Sequence, residues 1–226
     1  MVEEWVVVEE STSASRYASP VHQQAQTRAL GVFGPFRVLD EGTAALVDIT
    51  STSAPQHFAA MMAAHPGIAV LEFVEAPGTH DDRANLRLGR MIRAAGLATR
   101  VSDGGSVRSG AVELFLAGTQ RDIARGAEFA VHGWLDDWGR GAEDYAPQAP
   151  EHRRYLDYYI EMGMTKSQAQ AFYAMTNSVP FESALWLTGS EMYGWMAGEG
   201  ARTTQIADRA QSAPALAYLD LDLALQ

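Results

Sequence analysis

Between positions 68 and 132 the chain alternates at short intervals between two hydrophobic periods, and this alternation restricts the fold more than any other feature. Ile68-Ala69-Val70-Leu71-Glu72-Phe73-Val74 is a nearly continuous apolar run, the pattern of a strand covered on both faces. After a break at Ala76-Pro77-Gly78-Thr79, the residues Leu86, Leu88, Met91, Ile92 and Ala95 recur at helical spacing and stop at Gly96. A short strand over 98–101 and a turn at Asp103-Gly104-Gly105 follow. Val112, Leu114, Phe115 and Leu116 then predict a helix that begins near Ser109 and ends at Gly118. Two further strands are expected over 122–124 and 129–132. Strands and helices exchanged in units this short predict an α/β fold with a mostly parallel sheet and crossover helices.

The flanks fit around that centre. Phe36-Arg37-Val38-Leu39, the turn Asp40-Glu41-Gly42 and the run 44–49 read as a strand pair, and Ser53-Ala54-Pro55 opens a helix that His65-Pro66-Gly67 ends. The C-terminal third is largely helical, with helices over 151–162, 167–175 and 190–196. In the first of these, Tyr155, Leu156, Tyr159 and Ile160 form the expected buried stripe. Residues 9–28 are small and polar without a period and read as an arm. The division is therefore an N-terminal arm and lead-in strand over 1–30 and a single domain over 31–226.

Composition removes several function classes. With 226 residues, 47% of them hydrophobic, the chain can close one sizeable core. No run reaches the roughly 20 apolar residues of a membrane span, so no membrane-spanning segment is expected. Met1-Val2-Glu3-Glu4-Trp5 lacks the basic start of a secretory signal, which leaves a cytoplasmic location, or a periplasmic one after removal of a signal. A net charge of -11 with scattered arginines disfavours nucleic acid as a partner. There is no cysteine, so thiol nucleophiles and thiolate metal sites are excluded and only hydroxyl, amine or carboxylate nucleophiles remain.

In a parallel sheet, reactive groups collect where strands end. Three such positions hold the Pro77-Gly78 turn, Ser109 at the mouth of a helix and His132 at the close of a strand. A serine needs a base to take its proton and fixed donors to hold the oxyanion, and the N–H of Gly110 is placed to be one donor. Ser109 read alone is also an ordinary helix cap, and His132 an ordinary strand-end histidine.

The run Gly105-Ser106-Val107-Arg108-Ser109-Gly110-Ala111, followed by Ala117-Gly118, Arg121 and Ala130-Val131-His132, resembles the active-site region of the Clp protease proteolytic subunit and its relatives. Ala76-Pro77-Gly78-Thr79 is similar to that family's Ser-Pro-Gly-Gly turn, and Trp186-Leu187-Thr188-Gly189-Ser190-Glu191-Met192 to its Phe-Leu-Ser segment. The resemblance spans roughly residues 34 to 198 and lies toward poorly characterised bacterial members. It implies a ClpP/crotonase-like spiral of ββα units, usually homo-oligomeric, with a helical C-terminal third. It further implies Ser109 as nucleophile, His132 as base, and Gly78, Thr79 and Gly110 around the oxyanion.

Thr79 stands where the family has its second glycine, and a β-branched residue resists a positive φ. Ala184 stands where the family has its orienting aspartate, so Glu182, or Asn177, is the candidate third residue. The implied activity is serine peptidase-like hydrolysis of a peptide or small acyl substrate without cofactor or metal. The alternatives are a catalytically decayed assembly or binding protein, and acyl-thioester chemistry on a crotonase scaffold.

Other polar groups read as structural. His80-Asp81-Asp82 is an acidic first turn of a helix, Asp136-Asp137 a solvated loop between Trp134 and Trp138, and Lys166, the sole lysine, a solvated helix start. Ser106 reads as a turn residue and Tyr155, Tyr158 and Tyr159 as core or subunit contact. Glu113, one turn past Ser109, is expected to face solvent or a neighbouring subunit.

Overall fold

The computed structural model describes Ala25, residues 29–197 and residues 202–206. The polar arm expected over 9–28 lies outside the described residues apart from Ala25.

The alternating periods resolve into a repeated unit of strand, strand, helix. The chain enters through an antiparallel ribbon, β1 (Gly31–Phe33), β2 (Phe36–Val38) and β3 (Thr43–Leu46), followed by helix α1 (Ala54–Ala64). Two units then repeat. The first is β4 (Val70–Phe73), β5 (Glu75–Ala76) and α2 (Asp82–Ala94), and the second is β6 (Ala98–Val101), β7 (Ser106–Arg108) and α3 (Ala111–Leu116). A third pair, β8 (Gln120–Ala124) and β9 (Glu128–Val131), leads into α4 (Pro150–Glu161) and α5 (Lys166–Thr176). The described chain closes with β10 (Leu185–Thr188), α6 (Gly189–Met196) and β11 (Arg202–Ile206).

The first strand of each unit joins a seven-stranded sheet in the order β1-β2-β3-β4-β6-β8-β11, parallel from β3 onward. The second strand of each unit joins a separate four-stranded sheet, β10-β9-β7-β5, in which β10 is the antiparallel member. The fold is thus mixed α/β with a mostly parallel sheet, as the sequence predicts. The second sheet is less legible, because β5 and β7 have only two and three residues, too few to show a period. Ser106, read as a turn residue, is a buried member of β7.

Helix α3 lies between the two sheets, and all six of its residues are buried. Phe115 meets Phe73 of the large sheet at 5.9 Å and Phe129 of the small sheet at 5.2 Å, both edge to face. A buried helix end leaves carbonyls without water, and two side chains supply the missing donors. Thr99 Oγ1 donates to Phe115 O at 2.8 Å, and Arg121 donates to Leu116 O and, across to the end of α4, Met162 O. Burial, with the nearby Arg93 charge, lowers the Arg121 pKa to about 10, so it remains charged at neutral pH.

Helix α4 buries Tyr155, Tyr158, Tyr159 and Met162, whereas Ile160, placed on the stripe by the sequence reading, is 43% exposed. The stripe runs one position off the expected one because two hydroxyls have buried acceptors. Tyr158 donates to Glu113 O at 2.6 Å and Tyr159 to Glu113 Oε1 at 2.8 Å. Tyr158 reaches Glu113 past Gly89 of α2, where a Cβ would stand 1.9 Å from the tyrosine hydroxyl.

In an exposed helix, glycine to alanine gains roughly 1 kcal/mol. At Gly89 overpacking reverses the sign, and Gly89→Ala is expected to cost about 1–3 kcal/mol in a urea melt.

Candidate active site

Ser109 occupies the short link between β7 and α3 with a backbone φ of +51°, the only positive φ of a non-glycine among the described residues. That conformation costs an L-residue about 1–2 kcal/mol, and here several contacts impose it. The Ser109 N–H donates to Ala130 O of β9 at 2.8 Å. The preceding Arg108 is anchored by Glu75 at 2.5 Å and donates to Ser106 Oγ at 2.8 Å. Gly78 lies directly over Ser109. At φ +134° it adopts a conformation that only glycine takes readily, and a Cβ there would stand 3.0 Å from that of Ser109.

The positive φ of the Pro77-Gly78-Thr79 turn falls on Gly78, and Thr79 has none. The strain expected from a β-branched residue at 79 is therefore absent. Thr50 and Thr79 form a parallel bridge in which the Thr50 N–H donates to Gly78 O at 3.0 Å and the His80 N–H to Thr50 O at 2.9 Å. In that pattern the N–H of Thr79 points away from Thr50, and among the described residues it meets no acceptor. The same is true of the Gly110 N–H. The two residues are adjacent, because the Thr79 methyl fills the space a Gly110 Cβ would need.

Asn85 fixes this corner by donating to Gly110 O at 2.6 Å and accepting from Thr50 Oγ1 at 3.0 Å. The sequence reading missed it. Its signal was a polar residue on the stripe that α2 shares with Leu88, Gly89 and Ile92.

His132 follows the end of β9. Its Nδ1 lies 2.9 Å from Gly133 O, and because a carbonyl only accepts, that nitrogen carries the proton and Nε2 is left as the acceptor. Phe181 holds the ring edge to face at 4.8 Å. Ser109, Gly110, Thr79 and His132 all line one cavity of about 640 Å³. Ser109 Oγ hydrogen-bonds to nothing among the described residues, His132 included.

Glu182 is exposed and does not line this cavity, whereas Asn177 does. The Asn177 amide donates to Tyr173 O at 2.8 Å, while its Oδ1 is buried without a partner.

No protein-family model matches the chain, and no curated protein does. Among solved structures it is similar to a mutant of the 1510-N membrane-bound stomatin-specific protease in complex with a substrate peptide, with 16% identity, coverage of 69% of this chain and 74% of that one, and a TM-score of 0.44. A mutant ClpP1 from Listeria monocytogenes shares 14% identity over 74% of this chain and 93% of its own, with a TM-score of 0.47. The ClpP protease catalytic domain from Plasmodium falciparum shares 11% identity over 74% and 87%, with a TM-score of 0.46. The likeness concerns the course of the chain and brings no residue role with it.

The remaining polar groups divide clearly. Asp81 caps α2 by accepting the Ala84 N–H at 3.0 Å, and Asp82 accepts the Tyr155 hydroxyl at 2.6 Å, so both are structural. Asp136 is held by Arg140 and Tyr145. Lys166 opens α5 behind a Thr165 cap and does not line the cavity. Among the described residues no cluster suits a metal ion, and no helix is long and apolar enough to cross a membrane.

Glu113 does not face solvent as expected. It is buried in the cavity wall, and loss of hydration, aided by the Asp82 charge, raises its pKa to about 7 against the bond from Tyr159.

Two outcomes follow from this geometry. Ser109→Gly removes the left-handed penalty and is expected to raise stability by about 0.5–1 kcal/mol, a rise of about 1–4 °C in Tm, while Ser109→Ala gives no rise. Glu113 binds its proton more tightly folded than unfolded, so its contribution is full below about pH 4.5 and is lost as pH rises through about 7. Glu113→Gln is therefore expected to match wild type near pH 4 and to exceed it by up to ~3 kcal/mol near pH 8, read from melting curves at each pH.

Proposed function

We propose that the chain is a serine peptidase-like hydrolase that transfers the acyl group of a peptide or related acyl substrate to water. Ser109 Oγ attacks the substrate carbonyl while His132 Nε2 takes the hydroxyl proton. The resulting oxyanion accepts hydrogen bonds from the N–H groups of Thr79 and Gly110. Collapse breaks the bond to the leaving group, which receives the proton from His132. Water, deprotonated by the same nitrogen, then attacks the acyl-serine, and Ser109 recovers its proton.

The observation that carries this reading is the left-handed Ser109, held at a stability cost in a cavity wall that it shares with His132 and two uncommitted amides. Strain of this kind is retained where the surrounding contacts over-determine a useful geometry. In this reading the Gly133 carbonyl does the tautomer-fixing part of the missing aspartate's work. A neutral carbonyl stabilises the imidazolium less than a carboxylate does, so turnover is expected to be slow.

A second reading has a specific observation behind it. Ala184 replaces the orienting aspartate, and Glu182 stays outside the cavity, as expected of a binding or assembly protein whose catalysis has decayed. A fluorophosphonate probe separates the two. Covalent labelling between about pH 6 and pH 9 that disappears in Ser109→Ala supports the hydrolase. A folded wild-type protein that stays unlabelled across that range leaves the binding protein.

A further inference from the structure

Arg154, on α4, is a cation of the cavity wall for which the described residues supply no hydrogen-bond acceptor and no ion pair. Its guanidinium lies over the rings of Trp134 and Tyr155, 5.4 Å and 5.1 Å from their centroids. Its Nε is buried without an acceptor, and among the described residues no oxygen takes a hydrogen bond from the rest of the group. A guanidinium presents five donors and stays charged at any accessible pH, so leaving a half-buried one unpaired is unfavourable unless something else meets it.

Several of the surrounding charges are committed elsewhere, although Arg83 and Asp137 also line the cavity. Arg140 is held by Asp136 at 2.8 Å, Asp82 accepts from Tyr155, and Asp81 caps α2. Glu151, one turn earlier on α4, forms no ion pair with Arg154. The platform under the guanidinium is fixed. Trp134 Nε1 donates to Tyr173 Oη at 2.8 Å, and the Tyr173 hydroxyl is in turn hydrogen-bonded with His152 Nδ1, also at 2.8 Å. A guanidinium packed over two hydrogen-bonded rings is kept in place by them, and its planar fork is one that a carboxylate meets with two parallel bonds.

We propose that Arg154 receives a carboxylate of the substrate, so that the cavity selects acyl substrates carrying a negative charge away from the bond that is cleaved. The selection of substrates rests on the hydrolase reading; the carboxylate site does not.

Calorimetric titration of the full-length Ser109→Ala protein with acetyl-Ala-Ala bearing a free C-terminal carboxylate, and with its C-terminal amide, tests the site. The carboxylate is expected to bind at least about tenfold more tightly than the amide. Adding Arg154→Gln is expected to abolish that preference, while Arg154→Lys, which keeps the charge and loses the flat fork, retains part of it. Equal affinities for acid and amide, binding of neither, or a preference that survives Arg154→Gln would overturn the proposal. A preference that depends on Arg154 in a protein that a fluorophosphonate never labels leaves the carboxylate site standing and removes the hydrolase. A labelled protein indifferent to the carboxylate does the reverse.

Discussion

A six-residue helix has no stability of its own in water, because the cost of nucleating it exceeds what so few hydrogen bonds return. Helix α3 exists because two sheets close on it, with Phe115 between Phe73 and Phe129. Its C-terminal end, deep in the protein, is satisfied by Thr99 and Arg121. Its N-terminal end is the one that opens on the cavity, and there Gly110 keeps a free amide while Asn85 takes its carbonyl. Burial of the helix thus places Ser109 at an entrance that the rest of the fold holds rigid.

The same burial has a cost in Glu113, the one acid of α3. It is buried, and two tyrosines of α4 share its carbonyl and carboxyl oxygens. The carboxyl is close to half-protonated near neutral pH, so the cavity carries less negative charge than its acidic lining suggests. His132 has a complementary economy. A backbone carbonyl one residue away sets its tautomer without a further side chain.

Much of the fold was legible because its governing periods are long enough to read. Helix α2 runs for 13 residues with an apolar stripe, and β6 and β9 sit where the apolar runs place them. Strands β5 and β7 could not be read, since two or three residues show no alternation, and with them the second sheet escaped. At the site, Ser109, His132, Gly78 and Thr79 were visible as a motif with an interval; one cavity wall gathers Ser109, His132 and Thr79, and Gly78 packs against Ser109. The parts that escaped depend on contacts between distant elements. Asn85 is one polar side chain on a helix until Thr50 and Gly110 close around it, and Arg154 is one of sixteen arginines until Trp134 and Tyr155 come beneath it. Glu182 was chosen by its place in the chain, and the chain turns it outward.

Arg121 joins two ends that the sequence keeps 46 residues apart, Leu116 and Met162. One side chain of β8 therefore closes both helices at once, and displacing it would strand both carbonyls together. The serine's helix and the longer helix beside it are thereby tied to one strand at their C-terminal ends, so the two ends share a single anchor.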